Sequence, residues 1–386
     1  MNILISAGEL SGDMHAARLV HAVKAMDPSI HFFGIGGPMM AAAGVEIIAD
    51  LTDCSTVGLV EPLRYIPRYI DAFRATMKAA HHRLPDLFIP VDFQGFNNLL
   101  LGSLRHMGVP GIYYIGPQEW QWGTDRGGRS VVSRTVKILA IFKEEYDFFK
   151  RIGGRPVFIG HPLLDVVKSD ISRDELCGRY FLDPTQRIVT VFPGSRKQEM
   201  KHTMPVLIQT AVELQRDIDG LQFVVSVVDE RFEAQIRRAI VKYGLEATVV
   251  RGRSYDLIRH TALSLVTSGT ITLEHALLGT PHICAYRFSD ISYLMAKLIF
   301  GGRFRKMPFF ALPNMLLHRR VVPEFLQDYA NVYAIKKAAK AILQDSGREV
   351  QTRSELAKVA PLLGTPGVVD RAAREIVSYL RKAQPL

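Results

Sequence analysis

Four places along the chain set chemically able side chains where an apolar run ends and a helical one begins, the point at which a parallel strand hands over to its crossover helix. The first is Ala7-Gly8-Glu9-Leu10-Ser11-Gly12-Asp13, with a helix expected to open at Met14. Its glycines let backbone N–H groups and a helix N-terminus approach a substrate oxygen or phosphate, which makes Ser11, Gly12 and Asp13 candidate substrate contacts. The spacing fits neither the dinucleotide nor the P-loop fingerprint, and Asp13 could equally serve only as a helix cap. The second is Asp92, which follows Leu87 to Val91 and so stands at the sheet edge where doubly wound folds bind ligands. A carboxylate there can act as general base toward an attacking hydroxyl. A turn-forming Asp ahead of a helix at Asn98 is the commoner use of such a residue.

The third is Pro193-Gly194-Ser195-Arg196, after the run Ile188 to Phe192. Gly194 permits close backbone approach, Ser195 offers a hydroxyl and an N–H, and Arg196 offers a planar fork for phosphate oxygens. The fourth is Thr267-Ser268-Gly269-Thr270, with Glu274 one turn further on. Ser268, Gly269 and Thr270 can present hydroxyls and N–H groups to a diphosphate, and Glu274 can accept both hydroxyls of a ribose. Each has a plainer use, an exposed Arg at a capped helix start and a Glu on a surface helix. Two matching turns in one half favour the diphosphate.

Turns of this kind need parallel sheets to hold them. Short apolar runs alternate with helical stretches at Ile3 to Ser6, His31 to Ile35, Leu87 to Val91, Gly111 to Ile115 and Lys137 to Phe142. The rhythm restarts with Ile188 to Phe192, Phe223 to Val227, Thr248 to Val250, Leu263 to Thr267 and His282 to Ala285. This is α/β alternation, and it predicts two Rossmann-like parallel-sheet domains, over 1–165 and 186–345, with a linker from Gly160 to Pro184. A helical segment over 346–386 follows, in which positions 368, 372, 376 and 380 share one face. It either returns to the N-terminal domain or is exchanged in a dimer.

The totals narrow the function classes. A chain of 386 residues, 48% of them hydrophobic, can bury large cores. Cys54, Cys177 and Cys284 match neither a disulfide framework nor metal-ligand spacing, which implies buried thiols in a reducing compartment. No signal-peptide pattern opens the sequence, and no apolar run approaches the ~18 residues that cross a bilayer. The net charge of +10 lies wholly beyond residue 170, where 31 basic side chains face 21 acidic ones. Such a half could hold a diphosphate or face anionic lipid, or simply have a basic surface. Residues 286–340 carry ten Lys or Arg against three acids, interleaved with Phe288, Tyr293, Phe300, Phe304, Phe309 and Phe310, which could touch anionic lipid, and no nucleic-acid motif is present. Leu59, Leu63, Ile66, Ile70 and Phe73 fall at helical spacing with Arg64, Arg68 and Arg74 between them, an interfacial pattern that a core helix could also show. Pro62 and Pro67 make a long regular helix around residue 66 less comfortable.

With these residues in hand, the chain resembles the lipid A disaccharide synthase family, inverting glycosyltransferases of the two-domain GT-B architecture with an interdomain cleft. The resemblance spans nearly the whole chain. It rests on Gly8-Glu9 with Ser11-Gly12-Asp13, Gly36-Gly37-Pro38 with Met40, Val57-Gly58 with Val60-Glu61, and Trp120 with Trp122. Further along it rests on Phe158-Ile159-Gly160-His161-Pro162, Pro193 to Arg196, Ser268-Gly269-Thr270 with Leu273-Glu274, and Leu312-Pro313-Asn314. The resemblance implies transfer of a diacylglucosamine from UDP to the 6-hydroxyl of lipid X, a diacylglucosamine 1-phosphate, without metal or cofactor. It implies that Asp92 is the base, that Arg196 steadies the phosphates, and that Ser268 to Thr270 with Glu274 hold UDP. Asn314 is a further implied substrate contact, and residues 59–73 would meet acyl chains or the inner face of the cytoplasmic membrane. Swapped C-terminal segments would give a homodimer. Epimerases and peptidoglycan-type transferases that use UDP-N-acetylglucosamine, or a diverged paralogue with another acceptor, are the alternatives. The departures cluster near the acceptor: the family reads Ile-Asp-Ala-Pro-Asp-Phe-Asn where this chain has Val91-Asp92-Phe93-Gln94-Gly95-Phe96-Asn97, losing the second carboxylate at Gly95. Gly116-Pro117-Gln118-Glu119-Trp120-Gln121-Trp122-Gly123 likewise replaces a Ser-Pro-Ser-Val-Trp-Ala-Trp-Arg type stretch.

Overall fold

Continuous apolar runs of five or six residues are what a strand buried on both faces requires, and they assemble here into two wholly parallel sheets. The computed structural model describes residues 1–54, 61–121, 124–295, 298 and 308–383. The first sheet comprises β1 (Asn2–Ala7), β2 (His31–Ile35), β3 (Val45–Ala49), β4 (Leu87–Val91), β5 (Ile112–Tyr114), β6 (Lys137–Ala140) and β7 (Pro156–Phe158). The second comprises β8 (Arg187–Phe192), β9 (Leu221–Val227), β10 (Ala247–Arg251), β11 (Leu263–Thr267), β12 (His282–Tyr286) and β13 (Glu324–Leu326). Their strand orders are 3-2-1-4-5-6-7 and 10-9-8-11-12-13. In both, the chain winds outward on one side of the founding strand and then restarts on the other. The reversal falls between β1 and β4 in one sheet and between β8 and β11 in the other, and ligands of doubly wound folds bind beyond the strand ends at that point.

The chain divides into two compact units, one built from Met1–Ser55, Pro62–Asp165 and Leu363–Leu386, the other mainly from Val166–Leu362. The first therefore contains both ends of the chain. Its last helix, Val368–Ala383, packs on the helix Leu10–Met26 and buries Val368, Ala372, Ile376 and Leu380. Asp165 caps the start of that last helix, accepting the N–H groups of Gly367 at 2.6 Å and Val369 at 3.0 Å. Arg371 returns the tie, donating to the carbonyl of Ile159 through Nε at 2.9 Å and Nη2 at 2.8 Å. In the second unit the helices Met204–Asp217 and Val332–Leu343 lie together on the sheet, linked by Lys336 and Glu213 at 3.0 Å.

Two helices start earlier than the sequence led us to expect. The first crossover helix opens at Leu10 rather than Met14, because the N–H of Asp13 already bonds to the Glu9 carbonyl at 2.8 Å. Gly12 is thus a buried helical residue beside Ala7, where a Cβ would make ordinary van der Waals contact. The helix after β4 spans Gln94–His106, not from Asn98 onward. Around residue 66 the two prolines are absorbed: a short 3-10 turn, Glu61–Tyr65, leads into the helix Ile66–Arg83 with Pro67 in its first turn, where a missing N–H costs nothing. That helix buries only Ala72, Thr76 and Ala80, leans Tyr69, Phe73 and Met77 on the core, and leaves Ile66 and Ile70 43% and 44% exposed, with Leu63 on the preceding turn 57% exposed. Leu59 lies outside the described residues. All three cysteines are free and buried. Among the described residues no helix is long and apolar enough to cross a membrane, and no group of three or more His, Cys, Asp or Glu could hold a metal ion.

Candidate active site

At the β1/β4 reversal the two strand ends carry loops that fit into each other. A Cβ at Gly8 would stand 2.3 Å from the Phe93 ring, so only glycine lets the first loop pass under it. Asp92 and Phe93 both take left-handed backbone conformations, with φ of 47° and 48°. Two successive side-chain-bearing residues at positive φ cost of order 1–3 kcal/mol each, and the surroundings hold them there. The Asp92 carbonyl accepts from Asn97 Nδ2 at 2.8 Å and from Tyr113 Oη at 3.0 Å, and its N–H donates to the Ile115 carbonyl at 3.2 Å. Asn97 also reaches the carbonyls of Ser6 and Val91, each at 3.3 Å, and so ties both strand ends to the helix that follows. Burial pushes the Tyr113 hydroxyl well up, with Asp92, Glu145 and Glu119 adding negative charge around it, so it remains a donor.

Asp92 is half-buried, and aromatic rings cluster on the loop that carries it. Phe93 stacks on Phe96 at 5.5 Å, and Tyr69 meets Phe93 edge-on at 5.9 Å, which joins the Asp92 loop to the helix carrying Ile66 and Ile70. On the β5 and β6 side, Glu145 is buried behind Gly116, where a Cβ would fall 2.4 Å from its Oε1. Its Oε2 accepts the N–H of Ile141 at 2.8 Å. Its carboxyl is raised to about 7, because burial and, less strongly, the charge of Asp92 outweigh the opposing N–H groups of Ile141, Phe142 and Gly116. Phe142 lies between Trp120 and His161, with ring centroids 5.4 and 5.1 Å apart. Burial, with His15 adding, drops His161 to about 3, so it is a neutral ring whose Nδ1 accepts from the Leu163 N–H at 3.2 Å.

The second unit repeats the arrangement with different chemistry. Phe192 pairs with Val266 across β8 and β11, so the turn at Gly194 and the turn at Ser268 leave adjacent strands at one sheet edge. Gly194 has φ 110°, and a Cβ there would lie 2.2 Å from Glu199 Oε2. Glu199 organises the whole turn: Oε2 accepts the N–H groups of Ser195 at 2.8 Å and Arg196 at 3.1 Å, while Oε1 pairs with Arg196 Nη1 at 3.2 Å. The Ser195 N–H, expected to meet a ligand, is therefore engaged internally. Glu199 folds back onto the N–H groups three and four residues before it, as Glu145 does onto those of Phe142 and Ile141; residues Glu199–Thr203 then form a π turn ahead of the helix Met204–Asp217, a widening often found at functional sites. On the partner turn Gly269 has φ 135° and no heavy atom within 4 Å of where a Cβ would be, so its backbone is open to approach. Thr270 is exposed, and Ser268 and Glu274 are half-buried. A cavity of about 370 Å³ lies along the π turn, lined by Lys201, His202, Arg287 and Asp290 among others and not by these two turns themselves.

Two expected substrate contacts, Asp13 and Asn314, are buried and hydrogen-bonded to backbone groups. Asp13 is fully buried and accepts the N–H groups of Gly37 at 2.8 Å, Met39 at 3.0 Å and Met40 at 3.1 Å, so it caps the neighbouring helix Pro38–Ala42 rather than its own. Asn314 is fully buried as well; its Oδ1 takes the N–H groups of Val321 and Val322 at 2.6 and 2.9 Å, and its Nδ2 donates to the Val322 carbonyl at 2.8 Å. Ser11 is half-buried on the first helical turn. Sequence reasoning passed over Asn97 and Tyr113, which clamp the Asp92 carbonyl, and Glu145 and Glu199, whose carboxylates fold back onto N–H groups three and four residues earlier.

The sequence matches the family model described as lipid-A-disaccharide synthetase over residues 3–368. It is 36% identical over 381 residues to the lipid-A-disaccharide synthase of Geobacter sulfurreducens, covering 98% of this chain and 97% of that one. With the Gloeothece citriformis lipid-A-disaccharide synthase it shares 33% over 390 residues, covering 98% and 100%. In fold it is similar to the Staphylococcus aureus MnaA–UDP co-structure, with a TM-score of 0.67 at 12% identity over 100% of this chain and 98% of that one. It is also similar to the glycotransferase of kitacinnamycin, at 0.56 and 14% over 98% of each. At such identities those likenesses carry the fold alone, and the fold is the expected α/β GT-B type. The two full-length relatives and the family match together establish that the chain belongs to the lipid-A-disaccharide synthetase family.

Proposed function

We propose that this protein is a glycosyltransferase that joins UDP-2,3-diacylglucosamine to 2,3-diacylglucosamine 1-phosphate, forming the β-1,6-linked lipid A disaccharide 1-phosphate and UDP. The observation that carries the reading is the full-length relation to lipid-A-disaccharide synthases, in a chain whose β8/β11 sheet edge bears an arginine turn beside a small-residue turn. Asp92 accepts the proton of the acceptor's 6-hydroxyl as that oxygen bonds to the donor's anomeric carbon. The bond from that carbon to the diphosphate breaks on the opposite face, which inverts the centre and leaves the electron pair on UDP. Arg196, held by Glu199, stabilises the charge developing there. Ser268, Gly269 and Thr270 lie along the diphosphate, and Glu274 takes the ribose hydroxyls.

The exposed side chains of Leu63, Ile66 and Ile70 support contact with acyl chains at the cytoplasmic face of a membrane. The test is mass spectrometry of products from the purified protein with the two diacylglucosamine substrates, alongside Asp92→Ala. We expect the disaccharide 1-phosphate from the unsubstituted protein, and from Asp92→Ala a turnover lower by roughly 10²–10⁴-fold with UDP binding retained. No disaccharide from the unsubstituted protein would end the reading, and an unchanged rate in Asp92→Ala would remove Asp92 from it.

A further inference from the structure

Two positions at which this chain departs from the pattern it resembles are joined to each other. Gln94 Nε2 donates to Glu119 Oε1, across the loops that follow β4 and β5. The other oxygen of Glu119 accepts the Thr124 N–H at 3.2 Å, so the carboxylate is fixed at both ends. Gly127 leaves it room: a Cβ there would stand 2.5 Å from Glu119 Oε2. Gln94 is two residues beyond Asp92, in the first turn of a helix that has no acid of its own in that turn. Glu119 also adds its charge to the surroundings of Tyr113, whose hydroxyl holds the Asp92 carbonyl. At position 95, where the pattern has its second acid, this chain has glycine, and no heavy atom lies within 4 Å of where a Cβ would be.

A sugar offers several hydroxyls of similar acidity, and a single base selects one only if a neighbour is held in register by a second acceptor. We propose that Glu119, held by Gln94, supplies from the neighbouring loop the second carboxylate of the acceptor site, accepting a hydrogen bond from an acceptor hydroxyl next to the one that Asp92 deprotonates. The proposal rests on the function given above. It makes Glu119 a specificity-determining residue that this chain carries in place of an acid at position 95.

The test compares Glu119→Gln, Gly95→Asp and the double variant by steady-state kinetics with both diacylglucosamine substrates. Glu119→Gln keeps the shape and an acceptor oxygen for Gln94, but removes the charge and the acceptor for the Thr124 N–H. A hydrogen bond to a charged group is worth enough for kcat/KM toward the acceptor to fall about 10–100-fold, expressed in the acceptor KM, with the donor KM within twofold. Gly95→Asp, entering open space at a helix N-terminus where an acid is favoured, is expected to fold normally and to restore most of that loss in the double variant. An unchanged acceptor KM in Glu119→Gln overturns the proposal. So does a loss that Gly95→Asp leaves unrepaired, because it would trace the effect to the Thr124 loop rather than to a carboxylate beside Asp92. If the unsubstituted protein makes no disaccharide, the parent reading falls and takes this one with it, an outcome distinct from an active enzyme indifferent to Glu119.

Discussion

Asp92 owes its position to residues that do no chemistry themselves. Its left-handed backbone, and that of Phe93, persist because Asn97 and Tyr113 clamp the Asp92 carbonyl from two directions. A carboxylate on the strand end was legible in the sequence; the clamp was not, since Tyr113 belongs to another strand and Asn97 reads as an ordinary helical residue. Glu145 makes a prediction at this scale. Its folded-state value, about 7, is above that of an unfolded glutamate, so the folded state holds its proton more tightly. Both states are protonated below about pH 4.5, and no penalty exists there. As pH rises toward 7 the unfolded chain releases the proton first, and stability is lost progressively up to at most about 3 kcal/mol. Glu145→Gln removes this titration. We expect the thermal midpoint of the variant, relative to the unsubstituted protein, to be higher at pH 8 than at pH 5. A difference independent of pH would show that Glu145 is charged throughout.

Among elements, the π turn after β8 shows where pattern reading stops. The strand, the glycine and the arginine were all visible from residue type and spacing, because a parallel strand must end in a turn that leads to its crossover helix. Glu199 reads as one residue of a polar first helical turn, and only the structure shows its carboxylate folded back onto the N–H groups of residues 195 and 196. The same logic accounts for the strands that went unread: β3 alternates a glutamate into an apolar run, β7 has only three residues and begins with proline, and β13 has three and begins with glutamate. The early start of the helix at Leu10 was hidden by Ser11, Gly12 and Asp13, three poor helix formers whose tertiary contacts override propensity. Gly194→Ala tests the turn. A Cβ there is strained by the positive φ, by about 1–2 kcal/mol, and collides with Glu199. We expect the KM for the UDP-sugar to rise at least about tenfold, since 1.4 kcal/mol corresponds to a factor of ten, with the acceptor KM little changed. An unaltered donor KM would detach this turn from the donor.

For the molecule as a whole, two parallel sheets were readable because strands buried on both faces announce themselves as unbroken apolar runs, while the exposed ridge on Ile66–Arg83 was readable as spacing but not as exposure. Leu63→Ser with Ile66→Ser is expected to cut sedimentation with anionic liposomes severalfold. Their exposure means that the thermal midpoint should barely move, since surface changes stay within about 0.5 kcal/mol. Undiminished sedimentation would acquit that ridge. The helical face at 368, 372, 376 and 380 was likewise visible, though nothing in its spacing says which unit it closes. That it closes the first has a consequence for synthesis. A ribosome delivers the second unit entire while the first still lacks its final layer, so the two cannot mature in the order in which they are translated. Nascent chains stalled before residue 368 would present the bare flank of the opening crossover helix, and the emergence of residues 368–383 would be the event that covers it.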